Sequence, residues 1–334
     1  MTSLRFGLQN ETIFSTNSAP INAFYPIRKH FFFATTRNGL YRFEGTNINK
    51  IYPYKLSTSM IIPEYEFFVG ISSVGGEIFV MMLEDMENPL ISRFKTDQVA
   101  IFHIAYSHKS HVLITVGSGI YIWNFNVTMP FRKTLIHRPT VEITLRAKLF
   151  TDYDTSILNP LSLDYEQELL YFPTKNGFGG FDFDGHEKKS FSRVEVNAQT
   201  ASALCIENKK FLTARHSDGF HLWGKNGFLI KKIPGGVSSI LAIRFINKYF
   251  AIFMDSNLYV SIIDIKTSKT FHCTTFSTKP TYFNVITYNS KSYLIVSQGW
   301  AVKMMEIVLP WIVWKNMTTQ TYSIRRCPKY KDAA

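Results

Sequence analysis

Along this chain one pattern returns in varied spelling: an apolar run, a Gly or Asn turn, then a second run in which apolar and polar positions alternate. It reads HVLITVGSGIYIWNF over 111–125, KFLTARHSDGFHLW over 210–223 and FFFATTRNGLYRF over 31–43. Looser copies are LLYFPTKNGFGGFDF over 169–183, YFAIFMDSNLYVSII over 249–263 and YLIVSQGWAVKMMEI over 293–307, with the weakest over 76–94. Strand-turn-strand units returning about every 40 residues predict a radial β architecture. After each turn both faces of the alternating run are substantially apolar, as in Leu40 and Arg42 against Tyr41 and Phe43. That suits a strand whose sheet is sandwiched between two others. A further short strand precedes several copies (AIFHIAYS, ASALCIE, ILAIRFI) and a more polar one follows (GFLIKKI, SKTFHCTTF). Four strands per unit and seven units predict an all-β, seven-bladed β-propeller with four-stranded antiparallel blades.

The residues taken as the central turns are Gly39, Pro89, Gly119, Gly177, Gly219, Asn257 and Gly299. Gly and Asn suit tight hairpins because they tolerate positive φ. The long step from Gly119 to Gly177 predicts an insertion at about 128–160. Within it VEITLRAKLF alternates an apolar face (Val141, Ile143, Leu145, Ala147, Leu149) with a mostly basic one. The pattern gives one propeller over 1–310 and a basic tail over 311–334. LRFGLQNETIF, residues 4–14, is expected to supply a strand to the last blade, because pairing one terminus with the other removes free edges.

Composition sharpens this picture. With 334 residues, 46% of them hydrophobic, the chain can bury a large core. Repeat units packed only on their neighbours replace the two domains that such a length would otherwise suggest. The 29 Phe and 17 Tyr against 18 Gly describe strands rather than helices. The N-terminal residues show neither a basic start with a long apolar run nor a small-residue cleavage pattern, and no apolar run approaches a membrane span. Cys205, Cys273 and Cys327 form no close pairing, which fits a reducing compartment. A soluble cytoplasmic protein is expected.

The units resemble the WD40-type β-propeller family. The resemblance is carried by ILNPLSLDYEQELLYFPTKNGFGGFDFDG, HIAYSHKSHVLITVGSGIYIWNF and CIENKKFLTARHSDGFHLW, and covers about residues 3–310. Trp123 and Trp223 stand where that family ends its third strand with Trp, and Ser217 to Gly219 match its turn. No Gly-His dipeptide precedes a blade, and Asn124 and Gly224 replace the Asp after Trp. Stability is therefore expected to rest mainly on aromatic packing rather than on the family's buried hydrogen-bond network.

The formal net charge is +12, which favours acidic partners. Arg132, Lys133, Arg138, Arg146 and Lys148 face only Glu142 in one stretch, and Lys315, Arg325, Arg326, Lys329 and Lys331 only Asp332 in the tail. Insertions and tails on a rigid scaffold tend to carry binding. The partner-binding residues are therefore read as Arg132, Lys133, Arg138, Arg146, Lys148, Arg325, Arg326, Lys329 and Lys331, with Trp311 and Trp314 as apolar anchors. Core packing at the ring closure is the competing assignment for Trp300, Trp311 and Trp314. Nucleic acid is disfavoured, because the cations interleave with apolar strand residues and no RNA-binding motif appears. A phosphoinositide site is a poor match, since SIRRCP lies in the tail.

Candidate chemistry dissolves in context. His103, His108 and His111 straddle a strand and a turn with no fourth ligand nearby. Asp182 and Asp184 lack the remaining oxygens of a calcium loop and read as a polar turn between third and fourth strands. GISSVGG lacks the second Gly of a nucleophile elbow. No cofactor, metal or catalytic residue is assigned. The functional expectation is a non-catalytic protein-interaction scaffold docking an acidic protein or filament within a larger assembly. The family resemblance leaves cytoskeletal or ciliary, vesicle-coat and ubiquitin-ligase settings open. The alternatives are a propeller hydrolase or lyase with its site at the central channel, marked by converging carboxylates or histidines, and a nucleic-acid-binding propeller.

Overall fold

A computed structural model describes residues 6–16, 20–28, 31–36, 38–44, 47–53, 55–72, 74–83, 90–130, 138–149, 162–174, 177–191, 201–205, 209–215, 219–224, 226–234 and 238–309. Every described element is a strand, and the strands form seven antiparallel four-stranded sheets. Six are continuous in sequence: 21–52, 56–95, 101–149, 162–191, 201–233 and 240–275. The seventh joins three strands over 282–308 to Gly7–Ser15, which pairs along Ala301–Val308 as its outer strand. The expected terminal closure is thus present, and the last blade has a mate for the edge it would otherwise expose.

The apolar core is divided as the blades are. Among the described residues seven buried clusters occur, and each spans two neighbouring blades. Phe14 from the N-terminal strand joins Phe24 and Phe43 of the first blade and Ile295 of the last, which closes the circle. The middle strands explain why both faces read as apolar in sequence: all of Val112–Gly117 is buried, and so are most of Phe67–Ser72 and Phe250–Asp255. Each of these strands meets one blade on one face and another on the opposite face.

Three expectations are corrected by this geometry. Thr140–Leu149, expected in an insertion off the blades, is the outer strand of the third blade, paired along an unusually long third strand, Gly119–Thr128. Residues 131–137 and 150–161, which make up most of the rest of that segment, lie outside the described residues. The second blade turns between its middle strands at Gly75 and Gly76, so Pro89, itself outside the described residues, is not the equivalent of the other turn residues. At Gly76, φ is +61° and a Cβ would sit 2.1 Å from the Gln98 carbonyl oxygen, so a side chain is excluded there.

The third correction concerns the buried polar network. In the third blade Trp123 Nε1 donates to Thr115 Oγ1 at 2.9 Å, Thr115 Oγ1 donates to Gln98 Oε1 at 2.7 Å, and Gln98 Nε2 donates to the Gly119 carbonyl at 2.9 Å. Trp223 Nε1 makes the same bond to Thr213 Oγ1 at 2.9 Å in the fifth blade. A network survives in reduced form because a Thr on the second strand offers the indole an acceptor across the sheet. Gln98 then bridges from the connection that leads into the blade.

Candidate functional site

The innermost strands of the blades surround a central channel, and at one end it widens into a cavity of about 760 Å³. Its lining comes from the beginnings of the inner strands Ile21–Arg28, Leu56–Ile62, Ile101–Ser107 and Tyr282–Tyr288 and from the turns at Asn38 and Val74. Arg244, fifth residue of Ile240–Phe245, enters from farther along its strand.

The mouth is shaped by a repeated backbone irregularity. In the first three blades the inner strand carries one unmatched residue just after its start: Asn22, Ser57 and Phe102. Such bulges re-aim a side chain that would otherwise follow the pleat, and all three residues line the cavity. Two of them also tie blade to blade. Asn22 Nδ2 donates to the Leu56 carbonyl at 3.0 Å and Ser57 Oγ to the Ile101 carbonyl at 2.9 Å, while Thr281 Oγ1 reaches the Ile21 carbonyl at 2.9 Å from the other side. Each bond runs to the first residue of the next inner strand, so the rim is held by uncharged hydrogen bonds.

Lys55 and Arg244 line the mouth together with His103, and among the described lining residues none is Asp or Glu. Burial pulls the Arg244 guanidinium down to about 10, against the opposing influence of Tyr282, so it keeps its charge at neutral pH. Burial also raises the phenols of Tyr25 and Tyr282, which stay protonated. Around the opening stand apolar groups facing solvent: Val99 at 82% exposure, Val74 at 68%, Trp300 at 58% and Phe102 at 37%. Trp300, read in sequence as closing-blade core or as a partner anchor, is exposed in a turn of the last blade, where its carbonyl accepts from Thr16 N at 3.0 Å. The core assignment is corrected for this residue.

The opposite end of the ring is charged but self-neutralising. His108 pairs with Glu64, Lys109 Nζ lies 3.6 Å from Glu168, and Lys209 Nζ lies 2.9 Å from Asp164 and 3.0 Å from Glu166, each pair joining consecutive blades. The three histidines considered for a metal are split between the two ends. His103 lines the mouth, whereas His108 and His111, the latter 2.9 Å from the Tyr106 hydroxyl, sit in the turn beyond the strand. Five residues of extended chain separate His103 from His108 by roughly 16 Å. Asp182 caps its own turn, accepting from the backbone of Asp184 at 3.0 Å and His186 at 2.8 Å, as the polar-turn reading expects.

Of the basic residues assigned to partner binding, three are described, and all lie beside or on the outer strand of the third blade. Arg138 is exposed and its Nη1 donates to the Leu90 carbonyl at 3.4 Å. Arg146 Nε is 2.7 Å from Asp184 Oδ1 in the next blade, which holds that aspartate below its ordinary carboxylate range. Lys148 pairs with Asp97 and lies 4.7 Å from the centre of the Tyr121 ring. The alternation expected for this strand is interrupted because Arg146 is an unmatched bulge residue, which leaves Leu145 exposed at 45%. Arg132, Lys133, Trp311, Trp314, Arg325, Arg326, Lys329 and Lys331 lie outside the described residues.

Of the channel residues, only His103 was singled out in sequence, and for a different chemistry. The available signal was Arg244, an arginine inside the apolar inner strand ILAIRF. Lys55 and Asn22 offered none, because only ring closure brings them together.

No family model matches the chain, and no curated protein matches it. Among solved structures it is similar to the WD40 beta propeller domain of Doa1, with a TM-score of 0.65 and 11% identity over 91% of this chain and 97% of that one. The fold is a seven-bladed WD40-type propeller.

Proposed function

We propose that this propeller is a non-catalytic protein-interaction scaffold that receives an acidic protein partner within a larger assembly. The observation that carries the reading is the mouth face, where exposed Val99, Val74, Trp300 and Phe102 surround an opening lined by Lys55 and Arg244 and, among the described residues, by no carboxylate. Apolar anchors ringed by charge of one sign suit a protein surface of opposite sign. The fold adds support, since WD40 propellers commonly serve as interaction scaffolds.

In this reading the basic rim from Arg138 to Lys148, with Arg132 and Lys133, and the tail cations Arg325, Arg326, Lys329 and Lys331 add a second, electrostatic contact. Trp311 and Trp314 serve as further apolar anchors. An acidic filament of the cytoskeleton or cilium is a partner of the right charge, and the cytoplasm is the compartment that fits a chain in which Cys205 and Cys273 form no disulfide. Several weak contacts held at fixed spacing by a rigid ring act together.

The test is quantitative affinity purification at low salt with three forms: the unaltered chain, a mouth-face variant (Val99→Asp with Trp300→Ala) and a rim variant (Arg138→Glu). The mouth-face variant is expected to lose the main partners and the rim variant to keep them with weaker, more salt-sensitive binding. Partners retained by the mouth-face variant at unchanged yield would overturn the reading.

A further inference from the structure

We propose that an outer corner of the fifth blade is a membrane-contact site, where Phe228, Leu229 and Ile230 enter the surface of an anionic phospholipid bilayer beside Lys266 and Lys269 of the sixth blade. This corner is built on the turn between third and fourth strands, at the end of the ring away from the channel mouth. It is therefore separate from the protein-docking face, and it stands or falls separately.

The turn joins Gly219–Trp223 to the outer strand Leu229–Ile233 and is closed by backbone bonds, from Gly227 N to the Gly224 carbonyl at 3.0 Å and from Gly224 N to the Phe228 carbonyl at 2.9 Å. Phe228 is 72% exposed, Leu229 41% and Ile230 51%, the one run of consecutive large apolar side chains in solvent among the described residues. Their directions separate a bilayer from a protein groove. Leu229 is paired across from Trp223, whereas Ile230, the bulged residue, lies against Gly224, where a Cβ would come within 3.4 Å of Ile230 Cδ1. Successive residues of an extended chain point to opposite sides, so a folded partner seated on one side would cover only part of the run. Fluid acyl chains take in apolar groups from whichever side they leave the backbone.

The charges beside the run suit anionic headgroups. Lys231 Nζ donates to the Lys266 carbonyl at 2.9 Å and so holds the outer strand against the turn over 264–269 of the sixth blade. Residues 226–234 and 264–272 carry Lys231, Lys232, Lys266 and Lys269 and a single carboxylate, Asp264. That carboxylate is engaged by its own turn, accepting from Lys266 N at 2.8 Å, Thr267 N at 3.1 Å and Thr267 Oγ1 at 2.7 Å. Lys232, Lys266 and Lys269 are exposed. Cations near an anionic leaflet draw the protein to it, and the apolar run holds it there. A second copy of the chain would bring the same lysines against one another, which disfavours self-association through this corner.

Sedimentation of the purified full chain with vesicles of phosphatidylcholine and phosphatidylserine, mixed about two to one, and with vesicles of phosphatidylcholine alone, tests this. Tighter binding to the mixed vesicles is expected. It should weaken about tenfold in Phe228→Ser with Leu229→Ser, which leaves the net charge unchanged, and severalfold in Lys266→Gln with Lys269→Gln. Trp300→Ala, at the mouth, should bind as the unaltered chain does. All of these side chains are exposed, so circular dichroism should show each variant folded. Absence of binding to the mixed vesicles, equal binding to both compositions, undiminished binding by either double variant, or an equal loss in Trp300→Ala would overturn the proposal. So would loss of a protein partner by the Phe228 and Leu229 variant with its vesicle binding intact, which would make the corner a protein-docking surface.

Discussion

At the channel mouth Lys55 and Arg244 stand among described lining residues that include no carboxylate, whereas on the outer strand of the third blade Arg146 and Lys148 each lie against an aspartate. Both regions are built on bulged strands. At the mouth the bulges turn Asn22, Ser57 and Phe102 into the channel. On the outside every blade has an irregularity where its outer strand pairs with the third: Ile51, Ile91, Arg146, Lys188, Ile230 and Cys273 are unmatched in the first six, and the register shifts between Gln9 and Thr12 in the last. A bulge on an exposed edge twists it away from pairing with another chain. The same backbone device therefore gathers polar groups at the centre and protects the edge at the periphery. Lys55 and Arg244 line the channel mouth, whereas on the outer strand of the third blade Arg146 and Lys148 lie against aspartates.

If the outer strands contribute through apolar anchors rather than through their charges, the largest effect should come from Phe14→Ala. This side chain projects from the outer strand of the last blade onto Phe24 at 5.0 Å and Phe43 at 5.6 Å between ring centres. A loss of about 3–5 kcal/mol in denaturant-induced unfolding is expected, and a loss below about 1 kcal/mol would show that terminal closure adds little.

Next in size is Thr115→Val, which removes the acceptor of the Trp123 indole and the donor to Gln98 while nearly keeping volume. Leaving buried polar groups without partners should cost about 1–3 kcal/mol. An unchanged unfolding midpoint would mean that packing alone holds the third blade.

A smaller and pH-dependent effect is expected at Glu306, where Lys291 Nζ and Asn10 Nδ2 both come within about 3.0 Å and tie the N-terminal strand to the last blade. Burial raises this carboxyl, but the hydrogen bonds outweigh it and the net shift is downward. The folded form therefore holds its proton less tightly than the unfolded form. Its contribution is complete above the ordinary glutamate range, about pH 4.3, and is lost as pH falls through the lower folded value. Melting curves of Glu306→Gln should be flatter than those of the unaltered chain across that acid window, and parallel curves would contradict this. The smallest effect is expected on the outer strand itself: Arg146→Ala and Lys148→Ala should melt within the scatter of repeat measurements, since exposed ion pairs contribute little. A clear drop in either would break the contrast between centre and rim.

The blade pattern was legible because each middle strand is apolar on both faces, and that property belongs to the strand wherever it sits. Val112–Gly117 and Gly219–Trp223 show it directly. The closing role of the N-terminal strand was legible for a related reason, since a last unit with three strands needs a fourth. The paired state of Arg146 and Lys148 was not, because Asp184, in the next blade, and Asp97, in the connection that enters the third, lie far away in sequence. Trp123 advertised its partner poorly as well: Thr115 and Gln98 are ordinary residues until the sheet places them beneath the indole.

Local patterning, whose period follows from the geometry of an extended chain, was enough to specify most of the strands and turns and the number of blades. Which side chains face the channel was decided only when seven inner strands met. A bulge shifts a side chain by one position of the pleat, and whether a cation is balanced depends on neighbours that the chain brings near only by closing into a ring.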